Sequence, residues 1–209
     1  MPSGSTFAQL GLFVRERFLD ATCCTHLIEE MVRARAEKGR LVRDGVDHVL
    51  DETARRVSSA RVAPSTRSMV RERFTELLPQ LRSHFATELS ECEPPGFLIY
   101  GPGAFFAPHT DAGSRDPSDI RRRRISTIVF LNAPTASPAA DGFAGGTLRF
   151  HGMLDGPAWA ACPLPFDAER GMLVAFRSDL VHEVTPVTAG QRFSVVTWFL
   201  APGSVDAEP

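Results

Sequence analysis

The run Phe105-Phe106-Ala107-Pro108-His109-Thr110-Asp111 sets a histidine and an aspartate two positions apart, a few residues after the apolar stretch Phe97-Leu98-Ile99-Tyr100. In extended backbone alternate side chains share a face, so His109 and Asp111 can both reach one small ion beside a strand end. One imidazole nitrogen and one carboxylate oxygen suit a borderline divalent metal. A second histidine would complete a facial set of three that leaves the other coordination positions open. His182 supplies one from a distant part of the chain, after the strand-like run Leu173-Val174-Ala175-Phe176 and a turn. Ten residues further on stands Arg192, whose planar guanidinium can hold an organic carboxylate through two charge-assisted hydrogen bonds. Two imidazoles and a carboxylate also suit zinc, so a zinc hydrolase stays open on donor types alone. Against it, no general base accompanies the set and Arg192 would have no task.

The elements that must carry these residues divide the chain in two. In the first half Asp20 can cap a helix whose apolar positions Cys23, Leu27, Ile28, Met31 and Val32 recur at three- and four-residue spacing and end near Gly39. A second stripe, Val70, Phe74, Leu77, Leu78, Leu81 and Phe85, has Ser65 as its cap candidate and Pro79 inside it, which predicts a kink or a break into two helices. Residues 40 to 64 show no consistent period. The second half holds short runs of Val, Ile, Phe and Thr between Gly, Pro and Asp clusters, with strands expected at 96–101, 125–132, 146–151, 172–176, 182–187 and 192–200. Residues 133–145 read as a connecting loop. The architecture expected is α+β: a β-barrel of jelly-roll type with helices packed outside it. His26, His48 and His84 fall in the helical half and read as surface or helix-flank residues, and His151, before Gly152, as a turn residue.

Composition is consistent with one soluble globular domain over residues 1–209, helical support at about 7–90 and a barrel at about 96–200. The chain is 43% hydrophobic and 23% charged, with a formal net charge of −2. That balance argues against nucleic acid as the main partner. Cys23, Cys24, Cys92 and Cys162 lack metal-finger spacing and read as reduced thiols. No basic-then-apolar leader opens the sequence and no eighteen apolar residues run together, so a cytoplasmic protein without a membrane span is expected.

Four segments, YGPGAFFAPHTD, RISTIVFLN, GGTLRF and HEVTPVTAGQRFSVVTWF, resemble in order the successive signatures of Fe(II)- and 2-oxoglutarate-dependent dioxygenases of the prolyl 4-hydroxylase type. The resemblance covers about residues 96 to 200. It implies a double-stranded β-helix (a jelly-roll, cupin-like barrel) with supporting N-terminal helices, and His109, Asp111 and His182 as ligands of Fe(II). It implies Arg192 as the partner of the distal carboxylate of 2-oxoglutarate, with Tyr100, Thr127, Ser194 and Trp198 around the same co-substrate. The reaction implied is hydroxylation of an unactivated C–H with O2, coupled to decarboxylation of 2-oxoglutarate to succinate and CO2, with ascorbate a candidate reductant. The substrate would be a prolyl peptide, an amino-acid derivative or another small metabolite. A barrel that binds metal and 2-oxoglutarate as a sensor without turnover is the alternative.

Some positions depart from the family pattern. Phe130 stands where some relatives carry a tyrosine, which would leave Thr127 or Ser194 to supply the missing hydroxyl. Asp111 is the carboxylate that halide-transferring relatives lack, so hydroxylation is favoured over halogenation. Gly145 and Gly146 are expected to serve a tight turn or close strand packing. The run Arg121 to Arg124 reads first as a solvated loop offset by Asp111, Asp116 and Asp119, and alternatively as a lid favouring anionic or peptide substrates; Arg124 is expected to differ by opening a strand. Phe105 and Phe106 are candidates for the pocket wall, and alternation points Glu183 away from the site.

Overall fold

In a computed structural model, residues 8–34, 36–38, 41–43, 46–49, 54–113, 118–135, 142–153 and 162–203 are described. Asp116 and residues 136–141 of the 133–145 loop lie outside them.

Three helices form where apolar stripes recur. Helix α1, Ala21–Arg33, is capped by Asp20, whose carboxylate accepts the Cys23 N–H at 2.7 Å, and it buries Cys24, Leu27 and Met31. It ends at Arg33, well before Gly39: Ala34 is already extended, and Ala36–Lys38 pairs as a strand with Ser58–Ala60. Helix α2, Pro64–Thr75, is not capped by Ser65, which lies inside it. Proline fixes the first turn, and the capping acceptor comes from α1: the Glu30 carboxylate accepts the Ala63 N–H at 2.6 Å and the Thr66 hydroxyl at 2.8 Å. The break expected around Pro79 occurs just before it, because Pro79 sits in the first turn of helix α3, Leu78–Phe85. The aperiodic stretch 40–64 holds short strands, among them Val46–Val49, so His48 lies on a strand and not on a helix.

The strands build two main antiparallel sheets. The larger runs in the order Phe13–Arg15, Leu173–Arg177, Arg123–Phe130, Arg192–Leu200, Gly96–Tyr100, Ser58–Ala60 and Ala36–Lys38, with Glu91–Cys92 pairing beside Arg192–Leu200. The smaller runs Leu164–Pro165, Leu148–Phe150, His182–Val184, Phe105–His109 and Arg55–Arg56. A further pair, Phe143–Gly145 with Val187–Gly190, takes the end of the expected loop and runs on past the expected strand 182–187. This α+β arrangement is a double-stranded β-helix with helices on one outer face. The two apolar clusters show which face is which. Ile125, Val129, Leu173, Val195 and Phe199 pack beneath Leu27, Met31, Val70 and Phe74 of the helices. Their strand neighbours Ile128, Phe130, Val174 and Phe176 pack inside the barrel with Leu98, Tyr100, Phe150 and Val184.

All four cysteines are free. Among the described residues no helix is long and apolar enough to cross a membrane.

Phe74, wholly buried between α2 and the large sheet, tests this packing. Phe74→Ala is expected to cost about 3–5 kcal/mol of folding stability, read as a lowered urea midpoint; a loss below about 1 kcal/mol would contradict helices bearing on the barrel wall.

Candidate active site

The smaller sheet brings the two histidines together through its register. His109 closes the strand Phe105–His109, His182 opens His182–Val184, and the two are direct cross-strand partners. Asp111 lies just past the strand end, where its N–H and that of Ala112 both donate to the Ser178 carbonyl at 2.9 Å. Ser178 belongs to the turn that leads into His182, so one carbonyl ties both arms of the site. The carboxylate lies 3.7 Å from His109 Nε2 and 3.5 Å from His182 Nε2, and the three prospective donor atoms lie within 4.8 Å of one another.

Tautomers follow from the other ring nitrogens. His109 Nδ1 is 2.8 Å from the Ala107 carbonyl and His182 Nδ1 is 2.9 Å from the Leu180 carbonyl. A carbonyl only accepts, so each Nδ1 carries a proton, and Nε2 is the ring nitrogen each histidine turns towards Asp111. Burial, and next the neighbouring His182, lower His109 to about 4, so its imidazole is neutral near pH 7. Burial alone would raise Asp111. His182 and His109, with the Trp198 indole N–H and the Ser126 hydroxyl, outweigh it and hold the carboxyl below its ordinary value. Two imidazole Nε2 atoms and one carboxylate, convergent on one point, are the donor types a borderline divalent metal requires.

A cavity of about 470 Å³ opens onto this set, walled by Tyr100, Phe106, Ile128, Val184, Val196 and Trp198 among others. Phe106 stacks on the His109 ring at 3.4 Å and 13°. Arg192 does not line the cavity; its guanidinium lies 5.0 Å from the centre of the Tyr100 ring, which does, and 5.1 Å from that of Phe130. Arg192 is 1% exposed, and burial pulls it below the ordinary arginine value. Its Nη1 donates to the Ser194 hydroxyl at 3.1 Å, while Nε and Nη2 have no partner among the described residues. Burial pushes the Tyr100 hydroxyl up, so it stays protonated and able to donate.

The structure thus places Tyr100, Trp198 and the three donors on one cavity, with Arg192 and Ser194 together behind Tyr100. Thr127 also lines this cavity, and its hydroxyl donates to the Thr197 carbonyl at 2.9 Å. Its neighbour Ser126 faces Asp111 and lies 3.0 Å from the Ser178 hydroxyl. A correction concerns the arginine run. The strand opens at Arg123, not Arg124; Arg124 is exposed, whereas Arg123 lines the cavity, lies 3.7 Å over the Trp198 ring and makes two hydrogen bonds to Glu93. Glu183 does point away, towards His151 and Arg149. Arg55, from the unplaced stretch, lines the cavity and was not anticipated at all.

Comparison with known proteins agrees with this geometry. Residues 95–200 match the family model of the 2OG-Fe(II) oxygenase superfamily, and the chain belongs to that superfamily. It is an Fe(II)- and 2-oxoglutarate-dependent oxygenase, similar to prolyl 4-hydroxylases. A PKHD-type hydroxylase of Hyphomonas neptunium is 28% identical over 90% of this chain and 77% of its own length. Another, from Synechococcus elongatus, is 33% identical over 49% of this chain, which spans only 40% of that relative. Among solved structures, a prolyl-4-hydroxylase of Pseudomonas putida superposes with TM-score 0.67 at 25% identity, covering 95% of this chain and 97% of that one. A Trichoplax adhaerens prolyl hydroxylase, in complex with a peptide fragment of the hypoxia inducible factor oxygen degradation domain, shares the fold at TM-score 0.71 and 18% identity, over 94% and 86% of the two chains.

The depressed His109 value sets a pH dependence for the metal-free protein. The folded imidazole resists protonation relative to an unfolded one at 6.5, so the unfolded chain takes up a proton first as pH falls. This contribution is complete above about pH 6.5 and is lost as pH falls towards about 4. With chelator present, the drop in urea midpoint between pH 7 and pH 5 is expected to be smaller in His109→Gln than in the native chain; equal drops would contradict the buried neutral imidazole.

Proposed function

We propose that His109, Asp111 and His182 hold Fe(II), that Arg192 with Ser194 holds the distal carboxylate of 2-oxoglutarate, and that the chain acts as one catalytic unit hydroxylating an unactivated C–H of a prolyl, peptide or amino-acid-derived substrate. The observation that carries this reading is a two-imidazole, one-carboxylate donor set paired with a buried guanidinium that keeps two donor nitrogens unpartnered. A buried charge without a partner is costly, and a carboxylate tail would relieve that cost. Iron and 2-oxoglutarate, when bound, supply the activation of O2 and the decarboxylation to succinate and CO2.

The protein's own work is positional. Carbonyls of Ala107 and Leu180 fix both imidazole tautomers, and the Ser178 carbonyl fixes the turn that carries Asp111. Tyr100 and Trp198, with the aliphatic side chains of Ile128, Val184 and Val196, keep the cavity largely apolar, which strengthens each polar contact within it. Phe106 keeps the His109 ring from tilting. The substrate class draws its support from relatives, since the Pseudomonas putida and Trichoplax adhaerens neighbours are prolyl hydroxylases.

Succinate formation under air with iron and 2-oxoglutarate tests the reading. His109→Ala and Asp111→Ala are expected to abolish it. Arg192→Gln, removing one partner of a buried charge pair, is expected to raise KM for 2-oxoglutarate by about 30-fold or more, equivalent to 2 kcal/mol or above. Unchanged KM in Arg192→Gln would remove the guanidinium from the co-substrate site.

A further inference from the structure

Two guanidinium groups face the cavity, and they differ in state. Arg123 is neutralised by two hydrogen bonds to Glu93. Arg55 has no carboxylate partner among the described residues, and its Nε is buried without an acceptor. Its position is nevertheless built. The strand Arg55–Arg56 forms the edge of the smaller sheet, Arg55 is the direct cross-strand partner of Phe106, and the Ala107 N–H donates to the Ala54 carbonyl at 2.8 Å. The guanidinium carbon sits 4.7 Å over the Phe106 ring, and that ring stacks on His109. The order is therefore a fixed cation, an aromatic spacer and a prospective metal ligand.

We propose that Arg55 is a specificity-determining residue that binds a carboxylate on the substrate, so that the C–H presented to the metal belongs to an acid. This rests on the iron and 2-oxoglutarate reading above for where the reacting carbon lies. Arg192 already serves the co-substrate from behind Tyr100, and Arg123 is occupied by Glu93, which leaves Arg55 as the described cavity cation still lacking an anion. A formal net charge of −2 for the chain makes the local positive charge a feature of this wall and not of the whole surface. The carboxylate can be the free α-carboxylate of an amino acid or the side chain of an acidic residue within a peptide. Both offer the same planar acceptor to the guanidinium fork.

Matched acid and amide ligands test the proposal and separate the two sources: proline against prolinamide, N-acetylproline against N-acetylprolinamide, and the capped peptides Ala-Pro-Asp against Ala-Pro-Asn. Binding is measured by calorimetry on the full chain, without and with Fe(II) and 2-oxoglutarate, and succinate release is followed in parallel. In at least one pair the acid is expected to bind on the order of 30-fold more tightly than its amide. Arg55→Gln is expected to erase that preference, Arg55→Lys to restore part of it, and Arg56→Gln, at the exposed neighbour, to leave it intact. Equal binding of acid and amide in every pair, no binding of any acid, or a preference that survives Arg55→Gln overturns the proposal. Failure of the underlying reading shows differently: the native protein would then give no 2-oxoglutarate-dependent succinate and no iron-dependent 2-oxoglutarate binding, whatever the acid and amide pairs do.

Discussion

The site depends on the register between two short strands. His109 and His182 meet because Phe105–His109 and His182–Val184 pair antiparallel with these two residues opposite one another. Strand side chains alternate faces, so a slip of one residue would turn one imidazole out of the barrel. Much of what fixes the donors further is backbone: the carbonyls of Ala107 and Leu180, each two residues before its histidine, and the Ser178 carbonyl shared by Asp111 and Ala112. A site held by main-chain groups tolerates sequence change around it provided the register survives. That is consistent with relatives as low as 28% identical aligning across most of the chain.

The second constraint is the buried Arg192. A guanidinium needs room as well as partners, and the chain provides the room with glycine. A side chain carbon on Gly146 would come within 2.9 Å of Val187 and 3.2 Å of the Arg192 side chain, at a backbone φ of +59° that other residues rarely adopt. Gly145, at φ +68°, would place such a carbon 2.3 Å from the Pro186 carbonyl oxygen. The glycine pair therefore does serve close packing, as its sequence suggested, and part of what it packs is the Arg192 side chain. Phe130 leaves Arg192 a ring face where a hydroxyl would otherwise stand, and Ser194 is then the hydroxyl that remains beside the guanidinium.

The legible parts of the chain were those whose chemistry depends on residue type and spacing. His109, Asp111, His182 and Arg192 could be picked out because few arrangements use two imidazoles, a carboxylate and a following arginine. Face assignment within the barrel could not be read in the same way. The strand Arg123–Phe130 is buried on both sides, with Ile125 and Val129 beneath helices and Ile128 and Phe130 inside. Such a strand shows no polar and apolar alternation to mark its inner face. Hence the sequence points to Arg124 as the residue that opens the strand, one position past Arg123, which does. Helix α1 ends without a glycine, through the extended Ala34, so the nearest helix-stopping residue misplaced its end. Arg55 went unseen because its strand is two residues long and too short to carry a period.

The charges within the barrel also connect the two proposed ligands. Asp111 and Arg192 carry opposite unit charges, but they stand apart and do not pair. A dication beside Asp111 alone would leave this poorly solvated interior strongly positive, and a dianion beside Arg192 alone would leave it strongly negative. Arg55 aside, the four charges of Asp111, Arg192 and the two ligands sum to zero, with each ligand against a residue of the opposite sign. Iron and 2-oxoglutarate should therefore bind with positive coupling, and linkage requires that coupling to be equal in both directions. Asp111 and Arg192 thus belong to one electrostatic unit although no bond joins them.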